Sequence, residues 1–95
     1  MEPSEKIWMD GQFVAWSDAK VHVLTHTLHY GLGAFEGIRC YKGRNGSGIF
    51  RLQEHVDRLF ESAHIAMLAM PYDKKQVTEA IVETVRANRL EACYI

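Results

Sequence analysis

At Leu52 the hydrophobic period of this chain changes, and that change constrains the fold more than any other feature. From there Leu52, Val56, Leu59, Phe60, Ala63, Ala66 and Met67 recur at i, i+4, i+7, i+8, i+11, i+14 and i+15. That is one stripe of an α-helix, predicted near residues 52–69 and stopped by Met70-Pro71. A second helix is predicted near 74–89. Asp73 and Gln76 have the spacing of a capping box, and Val77, Ile81, Val85 and Asn88 lie along one side. Upstream of Leu52 the signals are those of strands and turns. The stretch "KIWMDGQFVAW" reads as a hairpin about Asp10-Gly11. "VHVL", Val21 to Leu24, reads as a short strand, and Thr25 to Gly33 as an irregular loop. "AFEGIRCY" is a strand, Lys42 to Gly48 a turn, and "IFRL" the start of the returning strand. "EACYI" opens another strand. Strands first and helices after predict an α+β domain over residues 1–95, an antiparallel sheet with two helices packed on one face. A chain that stops two or three residues into a strand is expected to be part of a longer protein.

Charge narrows the function classes. Eleven basic residues face twelve acidic ones, for a net charge of −1. Nothing steers the whole surface toward nucleic acid or an anionic membrane, so any anion site is local. No apolar run approaches the roughly 18 residues of a membrane span. The start, "MEPSEKIWMDG", lacks the basic and apolar regions of a secretory signal. Cys40 and Cys93 form no CxxC pair and suit free thiols in a reducing compartment. A cytoplasmic protein without nucleic-acid or membrane partners is the expectation.

The residues fit for chemistry cluster in two places. On the first helix Arg51, His55, Arg58 and Ser62 fall at i, i+4, i+7 and i+11, one basic strip apart from the acidic side that carries Gln53, Glu54, Asp57, Glu61 and His64. Such a strip suits phosphate or carboxylate, because a guanidinium grips these through paired N–H bonds. The other reading has Arg51 and Arg58 solvated or paired with local carboxylates. In "AFEGIRCY" the period of two puts Phe35, Gly37, Arg39 and Tyr41 on one face, and Ala34, Glu36, Ile38 and Cys40 on the other. The first set makes a wall with a ring, a gap and a cation. Gly37 marks either close approach of a ligand or a bulge. Glu36, on the core face, needs a partner.

Other chemistries find less support. His22, His26 and His29 give H-x3-H-x2-H, but no helical period aligns them and no fourth ligand is evident, so no metal site is expected. Gly31, Gly33 and Gly37 make neither a dinucleotide fingerprint nor a Walker loop. There is no GxSxG, and neither cysteine has an evident activating partner.

Taken together, "KVHVLTHTLHYGLGAFEGIRCY" and "FRLQEHVDRLFESA" resemble the N-terminal domain of the branched-chain amino-acid aminotransferases, pyridoxal-phosphate enzymes of fold type IV. The resemblance runs from "IWMDGQFVAW" to "ACYI". It implies a homo-oligomeric transaminase that moves the amino group of leucine, isoleucine or valine to 2-oxoglutarate. It also assigns roles. Arg58 matches the arginine that binds the cofactor phosphate. Tyr30 and Phe35 match aromatic residues of the side-chain pocket, Tyr30 reaching the neighbouring subunit's site. Gly37 and Arg39 match positions beside the substrate, and Tyr94 a tyrosine near its carboxylate. The family's catalytic lysine belongs to a second, C-terminal domain, so no catalytic residue is expected in this chain and the 95 residues alone should be inactive. D-amino-acid aminotransferases and aminodeoxychorismate lyases share the arginine-bearing helix but typically lack "FEGIR". A non-catalytic binding module derived from this domain is the remaining alternative.

Overall fold

The computed structural model describes residues 2–95. Strands β1 (Lys6–Met9) and β2 (Gln12–Ala15) form the expected hairpin, with Ile7 opposite Val14 and Met9 opposite Gln12. Both turn residues have positive φ, 51° at Asp10 and 90° at Gly11, as a two-residue turn matched to strand twist requires. Space at the second position is tight as well. A Cβ on Gly11 would stand 2.9 Å from the Tyr72 hydroxyl, and Tyr72 packs edge-on against Trp8 at 5.1 Å.

After a 3-10 turn at Trp16–Asp18 the structure departs from the sequence reading. "VHVL" pairs with nothing among the described residues, and Val21 and Val23 lie exposed. Alternation allows a pleat, but only a neighbouring strand makes one. Part of the expected loop is instead a short helix, α1 (His26–Tyr30). Five residues are too few to show a period. The helix is closed by Gly31 at φ 65°, whose N–H reaches the Thr27 carbonyl.

The next strand is also shorter than "AFEGIRCY". Ile38 exchanges both main-chain hydrogen bonds with Ile95, and β3 proper is Arg39–Gly43. The turn is tighter than expected, at Arg44-Asn45, so β4 (Gly46–Ile49) begins inside the glycine-rich stretch. With β5 (Cys93–Tyr94) these strands form an antiparallel sheet in the order β4-β3-β5. The strands therefore make two sheets rather than one.

Helices α2 (Leu52–Ile65) and α3 (Lys74–Ala87) follow the predicted stripes as far as Ala63 and Val85, but both end sooner than expected, and Met67, read as part of the first stripe, lies beyond α2 and is 92% exposed. The capping box at α3 is formed, with Gln76 N–H on Asp73 Oδ1 at 2.8 Å and Asp73 N–H on Gln76 Oε1 at 2.9 Å. Helix α2 ends before Met70-Pro71. Met67 turns left-handed at φ 55°, and the Leu68 N–H bonds back to the Ala63 carbonyl at 2.8 Å. Arg89, at φ 53°, closes α3 in the same way. The buried apolar side chains are Ile38 and Cys40 from the sheet side, Val56 and Ala63 from α2, and Val77 from α3. Leu59 and Val85 are half-buried beside them. The core thus lies on the Ile38–Cys40 face of β3, under both helices, which leaves the opposite face of that sheet open.

Candidate active site

The open face carries the wall that period two predicts. Arg39 and Tyr41 point away from the helices, and Tyr94 of β5 sits directly opposite Arg39. Because Ile38 and Ile95 exchange both main-chain bonds, Arg39–Tyr94 is the intervening non-hydrogen-bonded pair, where side chains stand closest. The Tyr94 ring lies over Gly37. A Cβ there would come within 2.5 Å of the Tyr94 hydroxyl oxygen and 3.1 Å of the ring. The Arg39 guanidinium carbon lies 5.8 Å from the Tyr41 ring centroid, and Tyr41 meets Phe50 edge-on at 6.2 Å. The fold thus joins Gly37 and Arg39 to Tyr94, more than fifty residues later in the chain. Phe35 is 84% exposed, and Tyr30, at the end of α1, is 75% exposed with its ring 4.6 Å from His26.

The second cluster rises from α2. His55 and Arg58 are three residues apart and so share one helix face. Both meet Glu36, whose side chain is only 7% exposed. Arg58 Nε donates to Glu36 Oε1 and Arg58 Nη2 to Oε2 at 2.8 Å, a two-point guanidinium–carboxylate pair. His55 Nδ1 lies 2.8 Å from Oε2 and 3.4 Å from Arg58 Nη2. The nitrogen cannot donate to one and accept from the other, and the shorter contact to an ionised carboxylate makes it the donor. These bonds, Arg58 first and His55 second, hold the Glu36 carboxyl down at about 2, and Glu36 raises Arg58 in return. An open cavity of about 320 Å³ adjoins the group, lined by Arg51, Glu54, His55 and Arg58. Arg51 turns to Glu54, one helical turn ahead, at 3.3 Å.

Both arginines of the basic strip are therefore paired, but differently. Arg51 has an exposed local partner, while Arg58 is held by a carboxylate from another segment. Sequence reasoning required a partner for Glu36 and did not find it. The signal was present: an acid on the core face of "FEGIR", and two basic residues at i, i+3 on the helix packed over that face.

Two histidines elsewhere hydrogen-bond to the main chain. His22 Nδ1 accepts the Leu24 N–H at 3.0 Å, and His29 Nε2 lies 2.8 Å from the Val23 carbonyl. Burial, and then the neighbouring Cys40, push the Cys93 thiol up, which disfavours the nucleophilic thiolate. What the site offers is binding: a cation and aromatic rings around a glycine gap on the sheet, and an oriented guanidinium at the helix.

Both clusters fall inside a stretch that matches a known protein family. The family described as amino-transferase class IV matches residues 33–95. A Pseudomonas aeruginosa branched-chain-amino-acid aminotransferase is 56% identical over 89 residues, covering 94% of this chain and 29% of the relative. The Escherichia coli protein of the same name is 44% identical over 92 residues, covering 97% and 30%. Among solved structures, a branched-chain amino acid aminotransferase from T.th. complexed with N-(5'-phosphopyridoxyl)-L-glutamate superposes with a TM-score of 0.95 at 45% identity, covering 99% of this chain and 32% of that one. The chain thus spans about a third of the length of the relatives it matches. The match begins at Gly33 and takes in the "FEGIR" segment, the Arg58 helix and Tyr94, and this chain belongs to the class IV amino-transferases.

Proposed function

We propose that these residues are the N-terminal third of a branched-chain amino-acid aminotransferase, which moves the amino group of leucine, isoleucine or valine to 2-oxoglutarate with pyridoxal 5'-phosphate. The observation that carries this reading is the Gly37–Arg39–Tyr94 wall on the open face together with an Arg58 clamped by Glu36 on the helix side, in a chain 56% identical to a protein of that name. The cofactor fits what is present. Glu36 takes two of the five N–H donors of Arg58 and leaves three for a phosphate, at the edge of an open cavity. When bound, pyridoxal phosphate supplies the electron sink for the reacting carbon.

The chain's own residues bind and orient. Arg58 holds the phosphate. Arg39 and Tyr94 face the substrate side, with the cation and the hydroxyl available to a carboxylate. Phe35 and Tyr30 supply apolar surface for a branched side chain, Tyr30 reaching into a second subunit's site. The missing Cβ of Gly37 leaves room for the hydroxyl end of the Tyr94 ring. The lysine that holds the cofactor and moves the proton belongs to a C-terminal domain outside these 95 residues. The protein acts as a cytoplasmic homo-oligomer.

The test assays the full-length protein for glutamate formation from 2-oxoglutarate with leucine, isoleucine, valine or D-alanine, and separately for cleavage of aminodeoxychorismate, a lyase reaction that forms no glutamate. Turnover of the three branched substrates is expected. Turnover of D-alanine or aminodeoxychorismate in their place would assign another member of the family, and no turnover of any would favour a binding module.

A further inference from the structure

Arg58 is 64% exposed at its side chain, yet its partner Glu36 is 7% exposed. The carboxylate therefore grips the guanidinium from the interior side and leaves the outer edge open. Its two oxygens engage Nε and one hydrogen of Nη2, so both hydrogens of Nη1 and the second of Nη2 remain free. A guanidinium on a flexible stem has many orientations, and a two-point contact removes most of them. Glu36 in turn has little freedom, because His55 Nδ1 holds Oε2 from the preceding turn of α2. Resting on the reading of Arg58 as the phosphate ligand, we infer that Glu36, braced by His55, is a positioning residue that presents the guanidinium of Arg58 to the cofactor phosphate.

A simple charge argument gives the opposite sign. Glu36 neutralises the cation that attracts the phosphate, so its removal would tighten phosphate binding if only net charge mattered. Positioning predicts weaker binding, because a freed Arg58 must be ordered again each time the phosphate arrives. The direction of the effect separates the two.

The experiment measures dissociation constants of pyridoxal phosphate and of pyridoxal, which lacks the phosphate, for the full-length apoprotein. The ratio of the two isolates the phosphate contact from general damage to the site. Glu36→Gln keeps size and one acceptor but loses the charged second contact. It should lower the preference for pyridoxal phosphate about ten-fold, the scale of one charge-assisted hydrogen bond. It should leave pyridoxal affinity near wild type, and add nothing when combined with Arg58→Ala. His55→Asn, whose amide can still donate to Glu36, should retain the preference, and His55→Leu should lose several-fold. The His55 pair decides the matter even if Glu36→Gln does not fold. A preference that is unchanged or raised in Glu36→Gln or His55→Leu, while Arg58→Ala loses it, would overturn the positioning role alone. A preference unaffected by Arg58→Ala would overturn the phosphate reading and this inference together.

Discussion

The Glu36 carboxyl is held at about 2 in the folded chain, against an ordinary value of 4.5. The folded state therefore binds this proton more weakly than the unfolded state does. The stabilisation from ionised Glu36 is fully present above about pH 4.5 and is lost as pH falls from there toward 2. Glu36→Gln cannot ionise and lacks this contribution. Urea midpoints of the two proteins should therefore differ most near neutral pH and converge below pH 4.5. A gap that stays constant from pH 7 to pH 3 would show that the ion pair contributes nothing to folding. Gly37 makes a contrasting case. Its backbone is not left-handed, so alanine adds no backbone strain there, but the new Cβ collides with the exposed end of the Tyr94 ring. That ring can swing outward. Gly37→Ala should therefore leave stability within about 0.5 kcal/mol, because Gly37 is only half-buried and the ring that must move is 56% exposed. In the full-length protein it should raise KM for leucine several-fold, because Tyr94 has been displaced. A lowered urea midpoint with an unchanged KM would refute this account.

At the scale of elements, legibility followed how local each determinant was. The stripes of α2 and α3, the Asp73–Gln76 box and the Asp10-Gly11 turn depend on neighbours a few residues away, and the sequence displays them. The two-faced wall was legible for the same reason, since alternation fixes which side chains oppose which. Features that depend on distant partners were not. "VHVL" alternates like a strand but has no strand beside it among the described residues. The end of α2 is set by the left-handed turn at Met67 rather than by the proline, and methionine carries no such signal. Asn88 is the clearest instance. It lies on the stripe of α3, yet its role is to hydrogen-bond both main-chain groups of Lys6, at 2.8 and 3.0 Å, and the Thr84 carbonyl at 2.9 Å. It acts as an added pairing position that ties the α3 terminus to β1. Asn88→Ala should cost about 1–3 kcal/mol by leaving those main-chain groups to compete for water. The urea midpoint measures this, and a wild-type value would mean that solvent replaces all three bonds without loss.

The whole molecule has more surface than its mass explains. A compact monomer of 10.9 kDa should expose about 5,600 Å², whereas this chain exposes 7428 Å². Its radius of gyration is 14.2 Å, against about 12.4 Å for a compact domain of this length. Ile65 and Met67, at the end of α2, are exposed, but the largest run of exposed apolar residues lies elsewhere. Val21, Val23, Leu24, Leu28, Tyr30 and Phe35 are each more than half exposed, in the segment between the hairpin and β3. That segment lacks strand partners and shows its apolar side chains to water, a pattern that marks a contact surface. It also carries Tyr30 and Phe35, so the same contact would complete the proposed substrate pocket. The 95-residue chain by itself should therefore self-associate through this surface. It should also form no glutamate from leucine above the rate of free pyridoxal phosphate. Sedimentation equilibrium should show an apparent mass that rises with concentration. Val23→Lys combined with Leu24→Lys should restore a monomer whose urea midpoint matches that of the wild-type chain at dilutions where it too is monomeric, because neither side chain belongs to the buried core. A wild-type chain that stays monomeric across the whole concentration range would show that the exposed segment is no docking surface, and would remove the structural reason for expecting the pocket to be completed from outside.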